Sequence, residues 1–443
     1  MYENEIEFKT SSTVSDKIFN TDTLSTKDLI KLNRRIKLSN RGSSNEWFIS
    51  YGNLNNKFVL KHKDISVLKL NLNRSGTISA CGALLNAEHM PVGTIKENVV
   101  DIDAIDNWWK GRSIPASRDG LRHLLDTLDI YSPHQLLDKS FGLSLSDQYW
   151  ICPEKANINW TGINFFDNDF SEDIGDLLFE KLHRKNLNPN TLNLISPDNT
   201  TDGVLHKKWK IINNKRCLIK GGTGIDCQEV ANEVLASSIC KRLGIYYVNY
   251  KIIEFDDNKY SICEDFITRD TELVTAWHIK KTIKNDDSTS DFNSLITKAE
   301  DFGIKDVRRH FNMMLTLDFI IANTDRHYNN FGFIRDVNTL EWLSVAPIYD
   351  SGSSMWRGKP IIKATDIHIV SKPFINTHMN QIKLVNDFSW LNFDALGGID
   401  KEYAQILSNV SLKGSISEER IKDLCSALIE RIEMLKKIVA KKS

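Results

Sequence analysis

The sequence predicts an α+β chain in three parts: an N-terminal α/β region over residues 1–190, a strand-rich lobe over 191–268 and a helical lobe over 269–443. Three observations predict this division. Short β-type runs in the middle of the chain flank one long helical stretch, and beyond about residue 270 the apolar residues turn to helical spacing. A polar, turn-rich segment at 196–203, Ser196-Pro-Asp-Asn-Thr-Thr-Asp-Gly203, separates the N-terminal region from the rest of the chain.

In the N-terminal region, strand-like runs fall at 47–51, 57–61 and 65–70. A helix is expected over 117–128, with Ser117 as its N-cap and Leu121, Leu124, Leu125 and Leu128 at helical spacing. Leu136 and Leu137 mark a further short helix. After the 196–203 segment come strands at 208–212 and 216–220 around an Asn213-Asn214 turn, which reads as a hairpin. A helix from about 228 to 243 ends at Gly244, a residue suited to the left-handed C-cap position. Two more strands, 247–254 and 259–263, join through an acidic turn at 256–258 and lead to Glu264-Asp265-Phe266. Strands, helix and strands in that order are the layout of a small nucleotide-clamping lobe. Residues 307–321 are strongly apolar and run into Asn323-Thr-Asp-Arg-His-Tyr-Asn-Asn330, and the chain closes with a charge-paired helix over 417–439.

Composition narrows the classes. Hydrophobic residues at 41% and charged residues at 26% are ordinary for a folded chain, and a net charge of -1 gives no global pull toward nucleic acid or anionic lipid. No apolar run approaches the roughly 20 residues of a membrane span, and the acidic start, Met1-Tyr-Glu-Asn-Glu-Ile-Glu, lacks the order of a secretory signal. Seven scattered cysteines, none in a Cys-x-x-Cys spacing, suit free thiols in a reducing cytoplasm.

The chemistry gathers on few residues. Phosphoryl transfer needs a divalent metal on oxygen ligands, a cation on the phosphates and a carboxylate that orients the attacking hydroxyl. Asp325 and Asn330 lie five residues apart in a loop after an apolar helix. A strand at 331–335, a turn at 336–339 and a second strand at 340–348 bring the chain back to Asp350, so Asn330 and Asp350 are expected to meet as oxygen ligands for magnesium. Lys220 ends its strand as the phosphate cation, with Glu233 or Glu229 on the next helix to hold it; helical spacing leaves both open. Arg326 and His327 read as loop supports rather than reacting groups. Gly221-Gly-Thr-Gly224 lacks the Gly-Lys-Ser/Thr ending of a P-loop and reads as a turn, and Trp108-Trp109 reads as core or interface.

These residues resemble a known arrangement. Asp325-Arg-His-x-x-Asn330 followed by Ile348-Tyr-Asp350 is similar to the catalytic and metal-binding loops of HipA-type kinases and, more distantly, of phosphatidylinositol 3/4-kinases. The resemblance takes in Leu218-Ile-Lys220, Asn232-Glu233, Arg242-Leu-Gly244, the Glu264-Asp265-Phe266 hinge and Ser371-Lys-Pro-Phe374, roughly residues 196–375. It implies a bilobal protein-kinase-like fold. It also implies ATP and Mg2+ as cofactors, Asp325 as catalytic carboxylate, Asn330 and Asp350 on magnesium, Lys220 on the phosphates, and the backbone of Glu264, Asp265 and Phe266 on adenine. The activity implied is phosphorylation of serine or threonine on a protein, in a bacterial toxin or stress effector with an antitoxin or regulatory partner. Direct nucleic-acid contact is not expected. In HipA-type kinases the loop matching residues 196–203 is flipped and autophosphorylated, which makes Ser196, Thr200 and Thr201 candidates.

The chain departs from familiar protein kinases in three places. They carry a lysine two positions after the catalytic aspartate, where this chain has His327; Asp350-Ser-Gly352 stands for Asp-Phe-Gly; and no Gly-x-Gly-x-x-Gly covers the phosphates, a task left to residues 196–203. Two rival readings stand beside the protein kinase: a lipid or small-molecule kinase, for which a membrane-facing loop would be needed and the segment 357–370 (Arg357, Lys359, Ile361, Ile362) is short, and an ATP-binding regulatory module with little catalysis.

Overall fold

The computed structural model describes residues 56–118, 120–179, 192–203, 205–222, 226–255, 257–283 and 290–442, with the short strands Glu5–Ile6 and Phe19–Asn20. The strand expected at 47–51, the latter half of the 221–224 turn and Asp256 lie outside the described residues. The chain forms two compact units, Met1–Val204 and Leu205–Ser443. Secondary structure is mixed, with several small sheets and helices in both units.

Unit 1 centres on a four-stranded antiparallel sheet in which β1 (Lys57–His62) lies between β2 (Ile65–Leu72) and β4 (Tyr149–Pro153), with β3 (Ile78–Leu84) outside β2. β1 alternates exposed and buried positions, the pattern of a strand with one face on a core. That core takes Leu60, Leu68, Leu70, Tyr149 and Ile151 together with Trp108 and Trp109 of α1 (Ile102–Gly111). The tryptophan pair is therefore core, and Trp109 Nε1 donates to the Gly76 carbonyl at 2.8 Å.

A second cluster gathers α2 (Leu121–Thr127), α3 (Pro133–Lys139) and α4 (Asp173–Phe179) around Leu121, Leu124, Leu136, Ile174 and Leu178. The leucine spacing marks the right helix but not its start. Gly120, with φ 78°, stands at the N-cap and Ser117 lies outside the helix. For α3 the sequence signal is complete: Ser132 and Gln135 form a capping box and Pro133 begins the helix.

Residues 192–203 pack within unit 1, so the boundary falls at Val204/Leu205 rather than at 190/191. The reason is a set of hydrogen bonds invisible in composition. Arg118, buried, donates to the Thr201 hydroxyl and carbonyl and to the Asp202 and Gly203 carbonyls; Thr200 Oγ1 donates to the Leu143 carbonyl at 3.2 Å.

Unit 2 opens with the hairpin β5 (Lys207–Ile212) and β6 (Lys215–Lys220). Its turn residues Asn213 and Asn214 both have positive φ, 50° and 62°, which asparagine tolerates better than most residues. α5 (Gln228–Leu243) comes next, capped by Gly244 at φ 66°. Strands β7 (Lys251–Phe255) and β8 (Asn258–Glu264) complete a sheet of order β7-β8-β6-β5. α5 is buried on nearly every side, which is why polar Asn232, Glu233 and Ser237 interrupt its apolar residues instead of forming an outer face.

A second sheet joins β9 (Thr271–Thr275), β10 (Gly332–Asp336) and β11 (Trp342–Val345). Between β9 and β10 run α6 (Asp291–Asp301) and α7 (Val307–Ile320). Gly332 is required where β10 meets β9, since a Cβ there would lie 2.8 Å from Thr275 Cα and closer still to the Val274 carbonyl. The helices α8 (Ile399–Val410) and α9 (Glu418–Lys442) finish the unit, α8 packing on both α5 and α9.

Candidate functional site

Every element of the site lies in unit 2. β6 ends at Lys220, whose ammonium is buried and sits 2.8 Å from Glu233 Oε1 of α5, 2.9 Å from Asp350 Oδ1 and 3.1 Å from the Tyr250 hydroxyl. The choice left open by helical spacing is thereby resolved: Glu233 holds Lys220, whereas Glu229 pairs with Arg357 at 2.5 Å. Glu233 also accepts from the Ser351 amide through Oε2 at 2.9 Å, so one carboxylate joins the lysine to the segment after Asp350. Asn232 continues the tie, donating to the Gly352 and Ser354 carbonyls while its own Oδ1 accepts from Tyr403 of α8.

Burial alone would drive both charges toward neutrality. For Lys220, Asp350 and then Glu233 outweigh that cost and hold the ammonium well above its ordinary value. For Asp350, Lys220 outweighs it, with Lys207 and Arg326 adding, and the carboxyl is held well below the usual carboxylate range. Both members therefore stay ionised at neutral pH.

The loop after α7 is organised by Arg326. Its guanidinium is fully buried and donates to both oxygens of Asp318, each at 3.0 Å. The same group donates to the Asn330 carbonyl at 3.0 Å, to the Tyr349 carbonyl and to Ser351 Oγ at 2.9 Å. One side chain thus ties the residues on either side of Asp350, Tyr349 by its carbonyl and Ser351 by its hydroxyl, to the backbone of Asn330. The Asn330 side chain turns its Nδ2 onto the Asp325 carbonyl at 2.9 Å. Asn323 completes the loop, donating to Asp318 and accepting from the Asp325 amide. The hairpin of β10 and β11 closes as the sequence implies, pairing Phe333 with Val345.

Asp325 itself remains half-exposed. Its Oδ1 lies 2.8 Å from Lys372 Nζ and its Oδ2 lies 4.0 Å from His327 Nε2. His327 Nδ1 accepts from the Asn329 amide at 3.3 Å, a loop-supporting contact. At the expected adenine hinge, Glu264 is exposed and paired with Lys215, and the Phe266 ring stacks on Tyr349 at 5.6 Å between centroids. The Asp265 carboxyl accepts from the Ile267 amide through Oδ1, while Oδ2 is shielded from water and has no hydrogen-bond partner among the described residues; burial drives this group well above the ordinary carboxylate value.

The donor set would suit a hard divalent cation: the Asp350 carboxyl is held below the usual carboxylate range, and with Nδ2 donating to the Asp325 carbonyl, the amide oxygen is the Asn330 atom that would coordinate. The three hydroxyls named as phosphorylation candidates belong to unit 1. Ser196 is fully buried with its Oγ donating to Asp198 Oδ2 at 3.1 Å, Thr201 is buried under Arg118, and Thr200 donates to the Leu143 and Pro197 carbonyls. Sequence reasoning missed Asp318, Tyr250 and Lys372 as participants. Asp318 had a signal, a single carboxylate inside the apolar run 313–321. Lys372 had only its place in Ser371-Lys-Pro-Phe374.

The profile of the HipA-like C-terminal domain matches residues 201–430, more than half of the chain, and the chain belongs to that family. It is similar to the serine/threonine-protein kinase CtkA of Helicobacter pylori, strain J99, with 28% identity over 131 residues; the match covers 28% of this chain and 40% of that protein. The chain thus spans well under half the length of this curated relative. Among solved structures, the H. pylori proinflammatory kinase CtkA gives a TM-score of 0.37 at 22% identity, over 51% of this chain and 89% of that one. A chain from the Shewanella oneidensis MR-1 complex of HipA, HipB and operator DNA gives 0.48 at 14% identity, over 85% of this chain and 97% of that one.

Proposed function

We propose that this chain is an ATP- and magnesium-dependent serine/threonine protein kinase, transferring the γ-phosphate of ATP to a protein hydroxyl. The observation that carries the reading is Lys220 held between Glu233 and Asp350, with Arg326 fastening the Asp350 segment to the loop of Asp325 and Asn330. In this reading β5 to β8 and α5 form the nucleotide clamp, residues from 269 onward form the helical lobe, and the region over 1–190 is accessory. Lys220 neutralises phosphate charge, Asn330 and Asp350 hold Mg2+, and the backbone at Glu264 to Phe266 receives adenine. Asp325 orients the acceptor hydroxyl. Magnesium bound there supplies charge neutralisation on the phosphate oxygens.

Membership of the HipA-like family and the likeness to a serine/threonine kinase support the acceptor class. An antitoxin-type partner is proposed by analogy with the complex that contains HipA and HipB. That complex also contains operator DNA, and we propose that any DNA contact of this chain runs through such a partner. Phosphorylation of Ser196, Thr200 or Thr201 would first require residues 196–203 to leave their bonds to Arg118 and Leu143.

One observation favours a second reading, a kinase of lipid head groups. Ile362 is 94% exposed beside exposed Lys359 and Lys363, with Ile367 and Val370 also exposed, so the loop 357–370 presents apolar and basic side chains together. No helix among the described residues is long and apolar enough to cross a membrane.

The test is incubation of the full chain with γ-labelled ATP and Mg2+, in parallel with bacterial lysate and with phosphoinositide vesicles, beside Asp325→Ala. Label on a lysate protein with wild type only is expected. Label on lipid alone would move the assignment to the second reading, and equal label with Asp325→Ala would remove the catalytic role of Asp325.

A further inference from the structure

The charge partner of Asp325 comes from outside its own loop. Lys372 Nζ lies 2.8 Å from Asp325 Oδ1, although the two residues are 47 positions apart. An ion pair between side chains this exposed, 49% and 42%, contributes little to stability, so the fold does not depend on it. Yet the backbone that carries Lys372 is held firmly. Ser371 is buried, its amide donating to the Asn376 carbonyl at 3.0 Å and its Oγ accepting from Gln381 Nε2 at 2.8 Å. The buried Gln381 also donates to the Lys372 carbonyl and accepts from the Phe374 amide. Phe374 then packs among Phe292, Phe311, Tyr328 and Phe331, with ring centroids 5.0 to 6.1 Å away. A buried network and an aromatic cluster therefore aim one exposed lysine at one exposed aspartate.

We infer that Lys372 is a catalytic residue of this site. Familiar protein kinases carry a lysine two positions after the catalytic aspartate, where this chain has His327; here Lys372 brings an ammonium to the Asp325 carboxylate from 47 positions away. The inference rests on the phosphotransfer reading above. With Oδ1 engaged by Lys372, Asp325 presents Oδ2 to the acceptor hydroxyl. In transfer, the acceptor oxygen bonds to the γ-phosphorus and the bond from that phosphorus to the bridging oxygen of ADP breaks. The electron pair leaves with ADP, and the hydroxyl proton passes to Asp325. An ammonium has three donors, so Lys372 keeps two for the oxygens of the moving phosphoryl group while the third holds Asp325. A lysine suits this better than an arginine, because its point charge follows a group in motion where a planar fork fixes one geometry.

The experiment compares wild type, Lys372→Met and Lys372→Arg as full chains with Mg2+, measuring phosphoryl transfer, affinity for ATP and for ADP by competition with a fluorescent nucleotide, and melting temperature. Lys372→Met is expected to lower kcat about 100-fold, the scale seen when one preorganised charge donor is removed. It should leave ADP affinity and melting temperature at wild-type values and reduce the preference for ATP over ADP. Lys372→Arg should recover part of kcat. Transfer by Lys372→Met within about threefold of wild type would overturn the assignment while leaving the kinase reading intact. Equal loss of ADP and ATP affinity, or a lowered melting temperature, would overturn it in favour of a structural role. No transfer by wild type would remove the kinase reading and this assignment together.

Discussion

Asp318 and Arg326 meet through two bonds of 3.0 Å, with both side chains buried, and this pair fixes the turn from α7 into the loop that carries Asp325. Breaking a buried pair from one side leaves a charge without compensation, at a cost of about 3–5 kcal/mol. Asp318→Asn should therefore lower the melting temperature by roughly 6–20 °C, at about 2–4 °C per kcal/mol for a unit of this size, and abolish transfer. Differential scanning calorimetry checks it; a melting point equal to that of wild type would show that the pair does not anchor the loop.

Lys220 offers a test through pH. Its ammonium lies above its usual 10.5, so its contribution is fully present below 10.5 and is lost only as pH rises beyond that. The Asp350 carboxyl lies below its usual 3.8, so its contribution is present above 3.8 and is lost as pH falls through its lower folded value. In Lys220→Met the partly exposed Asp350 and the buried Glu233 lose their cation. The stability deficit of this variant should be large at pH 7 and should shrink as the pH is brought toward 4, where protonation relieves Asp350. Urea midpoints at several pH values measure it, and a deficit independent of pH would contradict the coupling of Lys220 to Asp350.

Asp265 predicts the opposite slope. A carboxyl held above 3.8 by burial costs the folded state once it must ionise, so its contribution falls as pH rises from 3.8 through the folded value. Asp265→Asn keeps the acceptor for the Ile267 amide and removes the ionisation. Its stability relative to wild type should increase with pH above about 4 and then level off. Thermal melts from pH 4 to 9 give the answer; parallel curves would mean that Asp265 is not protonated in the fold.

Gly332 is a steric prediction. A methyl group at this position would overlap the β9 backbone, so Gly332→Ala must separate β9 from β10. Overpacking of this kind costs about 1–3 kcal/mol. Because β10 comes directly after the Asn330 loop, transfer should fall with stability. Circular dichroism melts paired with the transfer assay check both.

Much of the site was legible because its signals are local. The pairing of β5 with β6 follows from the Asn213-Asn214 turn, α5 from its Gly244 cap, and the return to Asp350 from a short turn between two β-type runs. The illegible parts depend on side chains meeting across long separations. Glu229 and Glu233 sit one turn apart on a helix buried on nearly every side, so periodicity cannot say which one faces β6. The start of α2 at Leu121 was hidden because Ser117 mimics a cap, while Gly120 reaches the required conformation through its positive φ. The boundary at Val204 rests on Arg118, whose four backbone and hydroxyl partners lie more than eighty residues away. Lys372 was beyond reach for the same reason, since nothing within its own segment points to Asp325.

The measurement that bears most directly on the central claim is the magnesium dependence of phosphoryl transfer by wild type and by Asp350→Asn. Metal held by Asn330 and Asp350 predicts no transfer from γ-labelled ATP in EDTA, a saturable rise with Mg2+ for wild type, and for Asp350→Asn at least about a tenfold higher Mg2+ requirement or no transfer at all. Transfer that persists in EDTA, or an Mg2+ curve for Asp350→Asn that overlays wild type, would contradict the claim.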